Sequence, residues 1–242
     1  MGKPYNIGYS MGINLPIILY THTDMKDIWS MSFGQTKKYL SDFKIYVAVN
    51  RDDENIPVEY SRLLYDDTVT YTERWKSILN QVPEDIILFL HEDMIMLGAP
   101  NMDLLETYTK LIESNKIRSV KLLFAGDKSI PSYIHPTLVS NELARFSIQP
   151  TILTKQTFND ILDGAGKQNI WNFETAVSRH FGDFMSYVGT ERKRGMFHYD
   201  SNVFPYIATA INKGKWNYTE YKLELDVLFS EYSIDPNIRG TV

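Results

Sequence analysis

Ile86-Ile87-Leu88-Phe89-Leu90 is an unbroken apolar run, bounded upstream by Pro83 and cut off by His91-Glu92-Asp93. Branched and aromatic side chains in so short a run predict a strand buried on both faces, as in parallel sheets covered by helices. The run is too short to cross a bilayer. In open α/β sheets ligands bind beyond the C-terminal ends of the strands, and here that end carries an imidazole and two carboxylates. Adjacent carboxylates fixed at a strand mouth repel each other unless positive charge sits between them. A hard divalent cation, Mg²⁺ or Mn²⁺, is the usual partner of such oxygen ligands. A solvated strand-to-loop turn is the plainer reading of the same tripeptide.

The flanking pattern predicts an α/β fold. Leu15–Tyr20 is a second buried strand, ending in Thr21-His22-Thr23-Asp24, and Phe43–Val49 a third, closed by the turn cluster Asn50-Arg51-Asp52-Asp53. Between them Asp27 to about Leu40 has helical periodicity, with Ile28, Met31 and Leu40 facing inward. Strand, helix, strand at this spacing is a βαβ unit with parallel strands. Helices are predicted over Thr70–Val82, with Trp75, Ile78 and Leu79 buried, and over Asn101–Ser114, capped by Asn101; Ser119–Phe124 reads as a strand.

The second half is less regular. Residues 1–14 read as an irregular lead-in and Ala125–Asn141 as a loop. Phe146–Leu153 reads as extended, with Pro150 assigning it to an edge or a bulge. Thr154–Leu162 reads as a short helix, and Gly164-Ala165-Gly166-Lys167 as a loop. A helix beginning at Asn172 or Phe173 is expected to run to about Phe181, followed by a strand at Met185–Val188 and a helical tail from Asn217. No repeat or linker interrupts the chain, so residues 1–242 are expected to form one domain.

Composition narrows the chemistry. The 242 residues carry 25 Lys+Arg against 30 Asp+Glu, a net charge of −5, so no general basic field recruits nucleic acid. An acidic chain that handles phosphate needs a local cation. The absence of cysteine rules out disulfides, thiolate nucleophiles and cysteine-based metal sites. No apolar signal core at the start and no transmembrane run lead to the expectation of a cytoplasmic protein, in which the sequon Asn217-Tyr218-Thr219 has no meaning. Sixteen tyrosines suit sugar and nucleobase pockets as well as ordinary packing.

The phosphate-binding glycine motifs are missing: there is no G-x-G-x-x-G after the first strand and no G-x-x-x-x-G-K-[ST], which argues against dinucleotide oxidoreductases and P-loop NTPases. No G-x-S-x-G elbow is present either. Asn169-Ile170-Trp171-Asn172-Phe173-Glu174 would put Glu174 in the first turn of a helix, where the dipole keeps it ionised and able to act as a general base; N-terminal capping is the plainer reading. His198, in Met196-Phe197-His198-Tyr199-Asp200, is either a ligand suited to Mn²⁺ or a structural histidine. Lys213-Gly214-Lys215-Trp216 would suit diphosphate oxygens or form a basic surface turn, and Arg192-Lys193-Arg194 reads as a solvated loop.

In this order the pieces resemble the GT-A class of nucleotide-sugar glycosyltransferases. Pro16-Ile17-Ile18-Leu19-Tyr20-Thr21-His22 is similar to their first strand and nucleobase loop. Phe89-Leu90-His91-Glu92-Asp93 is similar to the strand that ends in their Asp-x-Asp motif, although His91 stands where the first carboxylate belongs. Ser147-Ile148-Gln149-Pro150-Thr151 followed by Trp171-Asn172-Phe173-Glu174 resembles their acceptor-side strand and the helix carrying the base.

The resemblance implies a Rossmann-like domain with a mainly parallel sheet, a nucleotide-binding half over about 15–124 and an acceptor-side half from about 125. It implies metal ligation by Glu92, Asp93 and His198, nucleotide contacts from Thr21, His22, Asp24, Arg74, Lys213 and Lys215, and Glu174 as the base of an inverting transfer. The expected partners are a nucleotide-sugar donor and a glycan or other hydroxyl acceptor. A metal-dependent nucleotidyltransferase and a non-catalytic glycan-binding or assembly protein on the same fold stay open beside this reading.

Overall fold

Apolar runs form the strands at the centre of the sheet, and periodic, capped segments form the helices that cover it. The computed structural model describes residues 13–124, 130–131, 134–140, 146–177, 184–189, 191–195 and 198–242. The lead-in expected over residues 1–12, parts of the loop expected over 125–141, and the end of the helix expected to reach Phe181 lie outside the described residues.

The strands are β1 (Ile17–Tyr20), β2 (Ile45–Val49), β3 (Ser61–Leu64), β4 (Ile86–His91), β5 (Ser119–Lys121), β6 (Ile130–Pro131), β7 (Leu138–Ser140), β8 (Thr151–Thr154) and β9 (Phe184–Tyr187), followed by the short pairs β10 (Lys193–Arg194) with β11 (His198–Tyr199) and β12 (Ile211–Asn212) with β13 (Lys215–Trp216). The helices are α1 (Lys26–Tyr39), α2 (Tyr71–Gln81), α3 (Met102–Glu113), α4 (Lys155–Ala165), α5 (Ile170–Ala176), α6 (Tyr218–Tyr232) and α7 (Pro236–Arg239).

The main sheet, among the described residues, has the order β3-β2-β1-β4-β8-β5-β9-β7-β6. β3, β2, β1 and β4 are mutually parallel, β8 runs against them, and β5 and β9 return to the first direction. With β7 the other reversed strand, the sheet is mainly parallel.

Strand alternation sorts side chains into two cores. Ile17, Leu19, Leu88 and Leu90 join α1, α3 and α6 on one face, while Ile18, Tyr20, Ile87 and Phe89 join α2, α4 and α5 on the other. The molecule is therefore an α/β/α sandwich, as the period of two along a strand requires when both faces are covered.

Several elements differ from the sequence reading, among them β6 and β7, short strands within the stretch 125–141 expected to be a loop. β3 was not foreseen, because only Leu63 of its four residues is buried. β8 is a central strand rather than an edge: it pairs with β4 on one side and β5 on the other. Pro150 lies one residue before it and uses its carbonyl to accept the Leu122 N–H at 2.8 Å, so the missing proline N–H costs the ladder nothing. α5 starts at Ile170, with Asn169 as its cap, which moves Glu174 into the second turn. Likewise Gly164 and Ala165 close α4, and of the loop expected there Gly166, at φ 67°, and Lys167 lie outside the helix.

From β1 the chain passes through α1 to β2 on one side, while β4 pairs on the other. Where connections from neighbouring strands diverge in this way, a crevice opens beyond their C-terminal ends. That rule points to the ends of β1 and β4, at Thr21 and Glu92.

Candidate active site at the ends of β1 and β4

The loop after β1 is tied to its surroundings. Thr21 is buried; its hydroxyl accepts the Trp29 indole N–H at 2.7 Å and its carbonyl accepts the Tyr65 hydroxyl at 2.7 Å. His22 Nδ1 accepts the Asp24 N–H at 3.1 Å, and its Nε2 lies 3.3 Å from Asp67. Asn50, at the end of β2, accepts the Thr23 N–H at 2.9 Å and donates to Asp67 at 2.8 Å. The Asn50 amide is the main reason the Asp67 carboxyl is held below the usual range. Arg74 reaches back from α2 to donate to the carbonyls of Val69 and Asp67 and to the Tyr20 hydroxyl, with its guanidinium 5.5 Å from the Tyr65 ring centre. Tyr20 and Tyr65 stack at 5.0 Å. The result is a buried cluster of aromatic rings beneath a rim of amide, imidazole and carboxylate groups.

β4 delivers the three residues at its end in different roles. His91 points into the aromatic cluster, 2.9 Å from the Tyr71 hydroxyl and stacked on Tyr20 at 5.0 Å. Burial pulls its pKa down to about 3, so the ring is neutral. Glu92 donates its N–H to the Tyr20 carbonyl at 3.1 Å, but its side chain, 9% exposed, holds an Oε2 with no hydrogen-bond partner. Asp93 accepts the Ala210 N–H on its carbonyl at 3.0 Å, and the Ile211 N–H faces its carboxylate. Burial raises the pKa of both carboxyls; for Glu92 the Asp93 charge adds to the effect.

The charge opposing these carboxylates comes from the far end of the chain. Arg239 in α7 lowers the cost of ionising both Glu92 and Asp93. It is fixed by the Asp27 carboxylate at 2.6 and 2.9 Å and by the Gly214 carbonyl at 3.1 Å. Gly214, at φ 80°, and Lys213, at φ 50°, form the turn between β12 and β13. Lys213 and Lys215 are exposed on this hairpin, whose first strand supplies the Ile211 N–H near Asp93.

A third group lies towards β5. Glu174 Oε1 accepts the Ile148 N–H at 2.5 Å. Burial drives Lys121 down to about 8 against the opposing pull of Glu174, and its ammonium donates to the Ser147 hydroxyl at 3.3 Å. His198 is half-buried, which lowers its pKa, and it feels both Glu220 and Lys121. Gln149 is fastened between the Tyr206 hydroxyl at 2.7 Å and the Ala208 carbonyl at 3.3 Å. Among the described residues no three His, Asp or Glu side chains converge on a single cation position.

No protein-family model and no curated protein matches this chain. Among solved structures it is similar to the bifunctional IspDF from Campylobacter jejuni, at 12% identity over 75% of this chain and 52% of that one, TM-score 0.45. This chain thus spans about half of that protein. It is also similar to CMP:2-keto-3-deoxy-manno-octonic acid synthetase complexed with CTP, at 10% identity over 72% and 89% of the two chains, TM-score 0.47. A third is the mannosyltransferase PcManGT from Pyrobaculum calidifontis in complex with GDP-Man and Mn²⁺, at 10% identity over 77% and 59%, TM-score 0.44. At these identities and scores the likeness is one of chain trace.

The geometry brings Thr21, His22 and Arg74 into one loop system at the end of β1, with Asp24 exposed at its edge, and Glu92 and Asp93 together at the end of β4. Glu174 and His198 both lie near Lys121, away from any three-residue metal cluster. Arg239, Lys121 and Asp67 carried no motif. Asn50 did carry a signal: it is the first polar residue after an apolar strand, the same position in its strand as Thr21.

Proposed function

We propose that this chain is a nucleotide-sugar-dependent glycosyltransferase whose donor diphosphate binds at the mouth of β4 with a divalent cation. The carrying observation is the unpartnered Oε2 of Glu92 beside Asp93, at the point where the sheet connections diverge. A buried carboxylate oxygen without a donor is costly, and an oxygen-only set next to a crevice fits a hard cation that completes its shell with phosphate oxygens and water. Glu92 and Asp93 would hold it, and its chemistry there is neutralisation of the departing diphosphate. His198 as a third ligand is tested separately: His198→Ala should weaken Mn²⁺ binding if the ring belongs to the shell.

This chain's own residues carry the rest of the reading. The loop of Thr21, His22 and Asp24 would receive the nucleoside on its exposed side, backed by Arg74 and the buried rings of Tyr20 and Tyr65. Lys213 and Lys215 would approach the diphosphate from the hairpin. Glu174 would take the proton of an acceptor hydroxyl as that oxygen bonds to the anomeric carbon and the bond to the donor phosphate oxygen breaks, inverting the centre.

The loop after β1 argues against a nucleotidyltransferase, since it is held by Trp29, Tyr65 and Asn50 and has neither the glycines nor the basic residues of a triphosphate-cradling loop. The test is incubation with a panel of nucleotide sugars, with Mn²⁺ or with a chelator, following release of nucleoside diphosphate. Slow metal-dependent release from at least one donor is expected. Release of pyrophosphate from a nucleoside triphosphate and a sugar phosphate, with no donor cleavage, would replace the reading with the nucleotidyltransferase one.

A further inference from the structure

β5 and β9 run in the same direction as β4, so their C-terminal ends open on the same edge of the sheet. A separate cavity of about 120 Å³ lies there, lined by Phe124, Tyr187, Gly189, Glu191, Tyr199 and Asp200. It is well below the ~300 Å³ at which small-molecule pockets begin, which leaves no room for a nucleotide. Its walls are aromatic, with Phe124 and Tyr199 in contact at 5.2 Å between ring centres, and its polar groups are carboxylates and phenols.

Both carboxylates are fixed. Asp200 accepts from Arg194 Nε at 2.8 Å. Glu191 Oε1 accepts from the Tyr187 hydroxyl and from the Asn202 N–H. A Cβ at residue 189 would lie 2.0 Å from Glu191 Oε2, so glycine there gives the carboxylate its place.

We infer that this cavity binds the end of a neutral saccharide. Aromatic faces take the C–H face of a sugar ring, and the remaining lone pairs of carboxylates accept its hydroxyls. Charge argues against an anionic ligand, because Arg194, shared by Asp200 and Glu224, already has its carboxylate partners, and an uncharged ring suits the aromatic walls, beside which the Lys193 ammonium lies 5.8 Å from the centre of the Tyr199 ring. Position argues for an acceptor. Ser201, two residues past Tyr199, donates its hydroxyl to the carbonyl of Leu122 just after Lys121, while Lys121 donates to Ser147 and the neighbouring Ile148 N–H donates to Glu174, so the cavity and Glu174 flank the end of β5. Only the word acceptor rests on the transferase reading.

The experiment is saturation-transfer NMR of the full chain with millimolar methyl glucoside, galactoside and mannoside, and with glucosamine, in the absence of nucleotide and metal. Transfer to at least one neutral glycoside is expected. Tyr199→Ala should weaken it about tenfold or more, Tyr199→Phe should keep most of it as the folding control, and Glu191→Gln should fall between. No transfer to any neutral glycoside, transfer to glucosamine alone, or undiminished transfer in Tyr199→Ala overturns the proposal. Metal-dependent donor cleavage measured on the same proteins separates the two ideas. Glycoside binding without donor cleavage leaves the cavity standing and removes the transferase, and donor cleavage without glycoside binding does the reverse.

Discussion

Lys121 shows how much of this site depends on where single charges are placed. It ends β5, and burial lowers its pKa from 10.5 to about 8. The folded pKa is depressed, so between about 8 and the unfolded value the unfolded chain binds more protons, and stability rises with pH across that window. The full displacement is worth roughly 3 kcal/mol, and about 1 kcal/mol once solvent screening at this half-buried position is allowed for. Lys121→Met should therefore be more stable than the parent at pH 7, with the gap closing as the pH approaches 10. Thermal unfolding at several pH values measures this. A gap that stays constant with pH would mean that the folded lysine titrates normally. The same residue escaped the sequence reading because a lysine at the end of a strand looks solvated until the chain around it is in place.

At the scale of elements, what the sequence made legible follows burial and capping. β1, β2 and β4 are buried at nearly every position, and their apolar runs said so. Thr70, Asn101 and Thr154 each accept a first-turn N–H, and each could be read from residue type. β3 has one buried residue, and nothing in Ser61-Arg62-Leu63-Leu64 separates it from a loop; pairing with β2 alone makes it a strand. Glu174 was misplaced by one turn because Asn169 and Asn172 are equally good caps by type. The hairpin of β12 and β13 gives a clean element-level prediction. Gly214 sits at φ 80° and a Cβ there would meet nothing within 4 Å, so Gly214→Ala should cost about 1–2 kcal/mol from the left-handed backbone alone. Denaturant unfolding measures it, and an unchanged midpoint would show that the turn relaxes to another conformation.

For the whole molecule, the ends of β1 and β4 are braced from both ends of the described chain. Arg239 pairs with Asp27 across 212 residues of sequence, holds the hairpin through Gly214, and favours the ionised form of Glu92 and Asp93 against the larger effect of burial. No local pattern could have announced this, since it exists only after α7 has docked. The backbone of 240–242 strengthens the docking by pairing with Trp216 and Thr219. Arg239→Ala should destabilise the metal-free protein by about 1 kcal/mol, because the Asp27 carboxylate and the Gly214 carbonyl lose their partner, and added Mn²⁺ should recover part of the loss. Thermal unfolding with and without Mn²⁺ checks both halves. A loss that Mn²⁺ leaves untouched would mean that Arg239 serves only the Asp27 pairing.

Titration calorimetry with nucleoside diphosphates decides whether Glu92 and Asp93 form the cation-dependent diphosphate site proposed at the mouth of β4. Binding of at least one of them should strengthen about tenfold or more on adding Mn²⁺ or Mg²⁺, the equivalent of 1.4 kcal/mol, and Asp93→Asn should remove that gain while leaving the fold intact by circular dichroism. Equal affinity in Mn²⁺ and in chelator, or an unchanged metal response in Asp93→Asn, would contradict it.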